Sequence, residues 1–346
     1  MLIDGIYVPL TAPFYRDGSS YWKKLEHNVG RYSLTPAAGL VALTGEGEAL
    51  SDEEMRETLE CVSESAAPEK VLVARIAEES VRGALWLAEE AAKASFDAVL
   101  LRAPRGLTSS ELRLFLAAVA DGSELPVILS SAGVDGLSVE MIAEFAQHRN
   151  ALALFDAGLT VERYRAILAG TVTVKREVTV TTVFAPVTRR MKAPASGSSK
   201  NGSAATFVSA ESLGGGAALA VAPPRPAIKT RTKTVGFQVM AAGSVAGMVE
   251  LLEAGVAGAL PTLAACAPQA CYEAYAAFKD GDAALAREKE QRLLEADALI
   301  QREGIAAVKY GCDLNGYFGG VPRLPRVPLD GEQRAQLERV MIGLRN

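Results

Sequence analysis

Gly39-Leu40-Val41-Ala42-Leu43-Thr44-Gly45-Glu46, followed three residues later by Leu50-Ser51-Asp52-Glu53-Glu54, is the stretch on which the fold turns. Leu40–Leu43 is a short apolar run of strand length, Gly45 marks a turn, and Ser51 is an N-cap candidate for Ser51–Ser65, where apolar residues recur at helical spacing. Strand, turn and helix therefore succeed one another within about 27 residues, one strand–helix repeat of the kind that parallel βαβ units are built from. The same alternation continues from Ile3 to Leu260. Strands are expected at Ile6–Leu10, Leu40–Leu43, Val71–Arg75, Ala98–Leu101, Val127–Leu129, Leu152–Phe155, Phe237–Met240 and Ala257–Leu260. Helices are expected at Ser51–Ser65, Ser80–Ala94, Ser109–Ala120, Ser138–Gln147 and Val161–Ala169. Eight such repeats in about 250 residues fit an α/β fold of the (β/α)8 TIM barrel type better than an open doubly wound sheet.

After the eighth strand, Pro268–Lys279, Asp282–Arg302, Val308–Leu314 and Glu332–Leu344 read as helices, more than one closing turn requires, so a C-terminal helical appendage is expected. Residues 173–235 are too long for a helix-to-strand connection and form an insertion between helix 6 and strand 7. Its two ends, Val172–Phe184 and Ile228–Val235, alternate in strand fashion and suggest a hairpin or small sheet; Ala193–Ser203 and Gly214–Pro226 have linker composition. The expected organisation is a barrel over 1–172 and 236–265, the insertion over 173–235, and the last barrel helix plus appendage over 266–346.

The insertion carries ten Lys or Arg against Glu177 and Glu211, a net of about +8, whereas the whole chain has a net charge of −5. This opposition favours docking of the arm on its own barrel or on a neighbouring subunit. Nucleic acid is the weaker reading, because only Phe184 and Phe207 are aromatic here and no stacking or base-reading motif surrounds them. Residues Leu2 to Leu10 read as a strand, with no basic leader, and no long apolar run suggests a membrane span; a soluble, cytoplasmic protein is expected. Cys61, Cys266, Cys271 and Cys312 are too scattered for a disulfide framework and read as reduced, buried thiols. With His27 and His148 the only histidines, no metal or other cofactor is expected.

Several signals occur in an order that carries a resemblance. Leu10-Thr11-Ala12-Pro13-Phe14 ends the first apolar run, Asp17-Gly18 turns, and the Thr44-Gly45-Glu46 and Leu50-Ser51-x-x-Glu54 signals follow. Val308-Lys309-Tyr310 and Pro322-Arg323-Leu324-Pro325 come late. The chain so resembles the dihydrodipicolinate synthase and N-acetylneuraminate lyase family over 1–172 and 236–346. The resemblance implies a barrel lyase or aldolase acting on small 2-oxo acids such as pyruvate, and assembly as a homo-oligomer, dimer or tetramer.

It also implies a Schiff-base lysine ending strand 6, where this chain reads Leu154-Phe155-Asp156-Ala157. Phenylalanine has no nucleophile. The family's proton-relaying tyrosine at the end of strand 5 corresponds to Ser130, its carboxylate-clamping arginine to Asp135, and its strand-4 Thr-Pro-Tyr-Tyr to Arg102-Ala103-Pro104-Arg105-Gly106. Thr44, Gly45 and Glu46 match, either as a tight structural turn or as ligand contacts. Phe155 reads either as packing at the barrel mouth or as a stacking platform, and Arg102 and Arg105 either bind an acidic ligand or are solvated. Leu260 ends the eighth strand beside them. The expectation is a ligand-binding or assembly protein without Schiff-base chemistry. The alternative is an active lyase with a relocated lysine, for which Lys175, Lys229 and Lys233 are candidates, although they precede strand 7 on the N-terminal side of the barrel.

Overall fold

The computed structural model describes residues 1–133, 137–182, 184–192 and 228–344. In chain order the elements begin β1 (Gly5–Pro9), α1 (Trp22–Ser33), β2 (Gly39–Ala42), α2 (Asp52–Ser65), β3 (Val71–Ile76), α3 (Val81–Lys93) and β4 (Ala98–Arg102). They continue α4 (Ser109–Gly122), β5 (Val127–Ser130), α5 (Val139–Ala146), β6 (Ala151–Asp156), α6 (Val161–Gly170), β7 (Arg176–Thr181), α7 (Arg189–Lys192) and β8 (Thr230–Val235). The last are β9 (Gln238–Gly243), α8 (Met248–Ala254), β10 (Gly258–Pro261), α9 (Pro268–Lys279), α10 (Ala283–Glu303), α11 (Ile305–Leu314) and α12 (Gly331–Met341). Strands β1 to β6, β9 and β10 pair in parallel and close into a barrel, with β10 returning to β1. The expected (β/α)8 fold, its C-terminal helices and its insertion before strand 7 are all present.

Polar side chains fix where the helices begin. Ser51 accepts from the Glu54 amide while the Glu54 carboxylate accepts from the Ser51 amide, a reciprocal cap worth about 1 kcal/mol. Thr108 and Glu111 repeat it at α4. Ser80, Ser138 and Thr160 cap α3, α5 and α6. Helix α8 is short and lies between two left-handed glycines, Gly247 and Gly255; without a polar cap it left no start signal in the sequence.

Inside the barrel, Tyr7, Val41, Val73, Leu100, Ile128, Phe155 and Met240 belong to one buried cluster, and the helices pack around the outside through a second, larger one. Gly39 is required by this packing: a Cβ there would lie 2.4 Å from Cε1 of Tyr7 and 2.6 Å from the Val71 carbonyl oxygen.

The insertion's β7 and β8 form an antiparallel ribbon, and Val178 and Val180 pack on Leu2, at the N-terminal end of the barrel. The described part of the insertion docks there chiefly on backbone carbonyls. Arg190 donates to the carbonyls of Ser63 and Ala66 at the end of α2 and of Ala67 and Lys70 in the turn to β3, and Arg176 donates to Ala146, the last residue of α5, and to His148 just beyond it. The last carbonyls of a helix lack intrahelical partners and carry the negative end of its dipole, which favours guanidinium groups at Ser63, Ala66 and Ala146. Arg189 adds an ion pair with Glu124 at 3.1 Å, and its amide donates to Asp97. Lys233 lies on β8, Lys229 just before it and Lys175 just before β7, on the ribbon that packs on Leu2, and none of the three lines the cavity at the strands' C-terminal ends. The linker-like stretches, Phe207 and Asp135 lie outside the described residues. Among the described residues no helix is long and apolar enough to cross a membrane.

Candidate functional site

The C-terminal ends of the strands surround a cavity of about 430 Å3. Its floor is apolar, formed by Leu100, Phe155 and Leu260, and Thr44, Ser130 and Thr262 contribute hydroxyls to its walls. Glu48, Arg75 and Arg105 bring charge from the barrel, while Ile305, Val308 and Arg326 close the space from the appendage.

Strand register explains the floor. Ser130 pairs with Phe155, and Phe155 with Met240, so the ends of β5, β6 and β9 stand at one height. The Phe155 ring is fully buried from below and meets Tyr7 edge-on at 5.8 Å between centroids. The next residue, Asp156, turns outward: it accepts from Ser131 at 2.8 Å and pairs with Arg163 at 2.6 Å, tying the loop after β5 to α6. The hydroxyl of Ser130 accepts from the Ala132 amide at 3.3 Å; among the described residues no carboxylate or imidazole receives its proton.

The turn after β2 serves two purposes. Leu43 and Gly45 take left-handed backbone angles of φ 60 and 65, which bring Thr44 back so that its hydroxyl donates to the Leu10 carbonyl at 2.6 Å. Thr44 and Gly45 face the cavity; a Cβ on Gly45 would lie 2.8 Å from Cδ1 of Ile305. Glu46 points away. Its carboxylate is buried, 2.5 Å from Nζ of Lys309 and accepting from the Arg323 amide at 2.8 Å, so it fastens the appendage to the barrel. Burial pushes the Lys309 amine below its ordinary pKa, against the opposing pull of Glu46. That amine also donates to the Val321 carbonyl and lies over the Phe14 ring at 4.4 Å.

The arginines selected from the sequence separate in the same way. Arg105 lines the cavity. Arg102 is buried behind the wall, giving Nη2 to the Ala77 carbonyl and to Glu79 at 2.7 Å. Thr44, Gly45, Arg105, Ser130, Phe155 and Leu260 thus meet around one space, and Glu46 and Arg102 stand outside it. Sequence reasoning passed over Glu48, Arg75 and Arg326. Arg75 carried a signal, a cation at the end of the apolar run Val71-Leu72-Val73-Ala74; Glu48 and Arg326 lie in turns whose direction no periodicity reveals. Burial pushes the Glu48 carboxyl up, but the hydrogen bond from Arg75 and the charges of Arg75, Arg102 and Arg105 outweigh it and hold the group below its usual range.

Comparison with known proteins agrees with this architecture. A 4-hydroxy-tetrahydrodipicolinate synthase of Acidiphilium cryptum is 26% identical over 99% of both chains. A DapA-like lyase of Halobacterium salinarum is 30% identical over 67% of this chain and 76% of its own. The crystal structure of YagE, a prophage protein of the dihydrodipicolinic acid synthase family from E. coli K12 in complex with pyruvate, covers 99% of both chains with a TM-score of 0.75 at 20% identity, a likeness of fold. Residues 2–175 and 225–342 match the Dihydrodipicolinate synthetase family, and the chain belongs to that family.

Proposed function

We propose that this lyase-family barrel holds a small acidic molecule at its mouth without forming an imine with it, as a ligand-binding member of the family. The observation that carries the reading is the end of β6, where the phenyl ring of Phe155 lies in the cavity floor at the position for which the family resemblance implies an amine. Among the described residues lining the cavity the cations are Arg75, Arg105 and Arg326, whose guanidinium groups stay protonated and do not act as carbonyl nucleophiles. They suit a carboxylate or another oxyanion. The names of the relatives and the pyruvate bound to YagE make small oxo acids the first ligands to try. Loss of a covalent nucleophile costs on the order of a millionfold in turnover, which hydroxyls without a base do not restore.

The second reading, an active lyase with a relocated lysine, draws on Lys309, a buried amine with a depressed pKa next to cavity-lining Val308. Its nitrogen is already committed to Glu46 and Val321. Incubation with pyruvate and borohydride followed by peptide mass spectrometry separates the two: no lysine adduct is expected on the native chain, and Phe155→Lys is expected to gain one. An adduct on any native lysine overturns the proposal.

A further inference from the structure

Glu48, the one acid among the described lining residues, is ringed by guanidinium groups. Its Oε1 receives Arg75 Nη2 at 2.9 Å and lies 3.8 Å from Arg102 Nε; its Oε2 lies 3.7 Å from Arg105 Nη2. Glu79 takes a further share, from Arg102 Nη2 and from the Arg105 amide at 3.0 Å. The donors still outnumber the acceptors. Arg102 is 3% exposed, yet among the described residues its Nε and Nη1 have no hydrogen-bond partner. Three arginines face two carboxylates, and Arg326 adds a fourth guanidinium to the same cavity from the appendage. Buried donors left without acceptors are costly, so this arrangement is set to accept more anionic oxygen than it contains.

We infer that the mouth is a receptor for a small dianionic acid, a phosphate monoester or a dicarboxylate, whose oxygens take the place of the Glu48 carboxylate between Arg75 and Arg105 while its carbon skeleton lies over Leu100, Phe155 and Leu260. This deepens the reading that the mouth holds its ligand without an imine, and rests on it. A monoanion exchanges one carboxylate for another and gains little. A dianion brings an additional charge and additional acceptor oxygens to Arg75 and Arg105, and an oxygen in the place of Glu48 Oε1 faces Nε of Arg102 through the wall, where Glu48 now lies 3.8 Å away. Glu48 itself is free to leave: its side chain is 43% exposed, on the single-turn 3-10 segment Gly47–Ala49 at the rim, so release returns it to water.

The test is calorimetric titration of the full chain at low salt with glycerol 3-phosphate, malate and lactate, on the native protein, Glu48→Gln and Arg105→Gln. Both substituted side chains are substantially exposed, and a thermal melt of each variant checks that the fold persists. At least one dianion is expected to bind about tenfold or more tightly than lactate. Removal of the competing carboxylate in Glu48→Gln is expected to tighten dianion binding by about tenfold, and Arg105→Gln to weaken it by a similar factor. Preference between glycerol 3-phosphate and malate identifies which dianion the site takes. Equal affinity for lactate and both dianions, or unchanged or weaker dianion binding in folded Glu48→Gln, overturns the inference. A borohydride-trapped lysine in the same preparation instead overturns the imine-free reading and leaves the titration result standing.

Discussion

Substituting Lys309 by Met should cost the protein about 3–5 kcal/mol, because it removes one member of a buried ion pair and strands the other. Lys309 and Glu46 are both almost fully buried and approach to 2.5 Å. Without the ammonium, the Glu46 carboxylate keeps only the Arg323 amide among the described residues, the Val321 carbonyl loses its donor, and Phe14 loses the Lys309 cation while retaining Arg323 at 4.2 Å. Glu46→Gln should cost nearly as much, since it leaves the ammonium facing a neutral amide. The double variant removes both charges and should be close in stability to the better single variant, giving a coupling of at least about 2 kcal/mol in a double-mutant cycle. Equilibrium urea unfolding supplies the four free energies, provided the slope with denaturant is common to all. Additive single effects would refute the argument, because they would mean that the two groups do not depend on each other for compensation. Since Val308 lines the cavity, both single variants should also weaken ligand binding at the mouth.

Arg190→Ala should release the described part of the insertion from the barrel, with faster hydrogen exchange over 184–192 and a loss of about 2 kcal/mol, while ligand affinity at the opposite end is unchanged; protection equal to the native chain would contradict the docking role. Glu54, which pairs bidentately with Arg323, has its carboxyl held down from 4.5 to about 2, first by the Arg323 hydrogen bond. A folded pKa below the unfolded one gives stability that is complete above about pH 4.5 and lost as the pH falls toward 2, so Glu54→Gln should lose about 1–2 kcal/mol at pH 7 and little near pH 2; a difference from the native chain that does not change with pH would count against it. Gly39→Ala should destabilise by about 1–3 kcal/mol through the clash with Tyr7 and Val71, measurable as a fall in melting temperature.

Much of the barrel was readable because each of its parts is local. An apolar run of four to six residues, a turn and a capped amphipathic helix recur with a period that only parallel βαβ units explain, and Ser51, Ser80 and Ser138 announce their helices within one turn. Helix α8 escaped because glycine, rather than a polar cap, bounds it at both ends. The site was readable only in part. Phe155 and Ser130 follow from their places at strand ends, but whether Glu46 faces the cavity or the appendage depends on the backbone angles of Leu43 and Gly45 and on a lysine more than 250 residues away. Glu48 and Arg326 are brought to the mouth by the same long-range closure, which no local pattern encodes.

That division bears on how a barrel of this family could exchange its chemistry without losing its fold. The contacts that fasten the molecule are concentrated away from the cavity floor: the Glu46–Lys309 pair and Arg323 behind the mouth, and Lys70, Arg176 and Arg190 on carbonyls at the N-terminal face. The floor is held by apolar burial instead. A ring such as Phe155 packed on Tyr7 gains about 2–3 kcal/mol from leaving water, whereas an amine at the same depth pays to be desolvated unless a partner is provided. Exchanging lysine for phenylalanine at such a position would therefore stabilise the barrel while removing its nucleophile. Phe155→Lys should accordingly be less stable than the native chain even where it gains a pyruvate adduct. A variant that forms the adduct at no cost in unfolding free energy would show that the floor already holds a partner for the amine, and would count against the reading of Phe155 as packing.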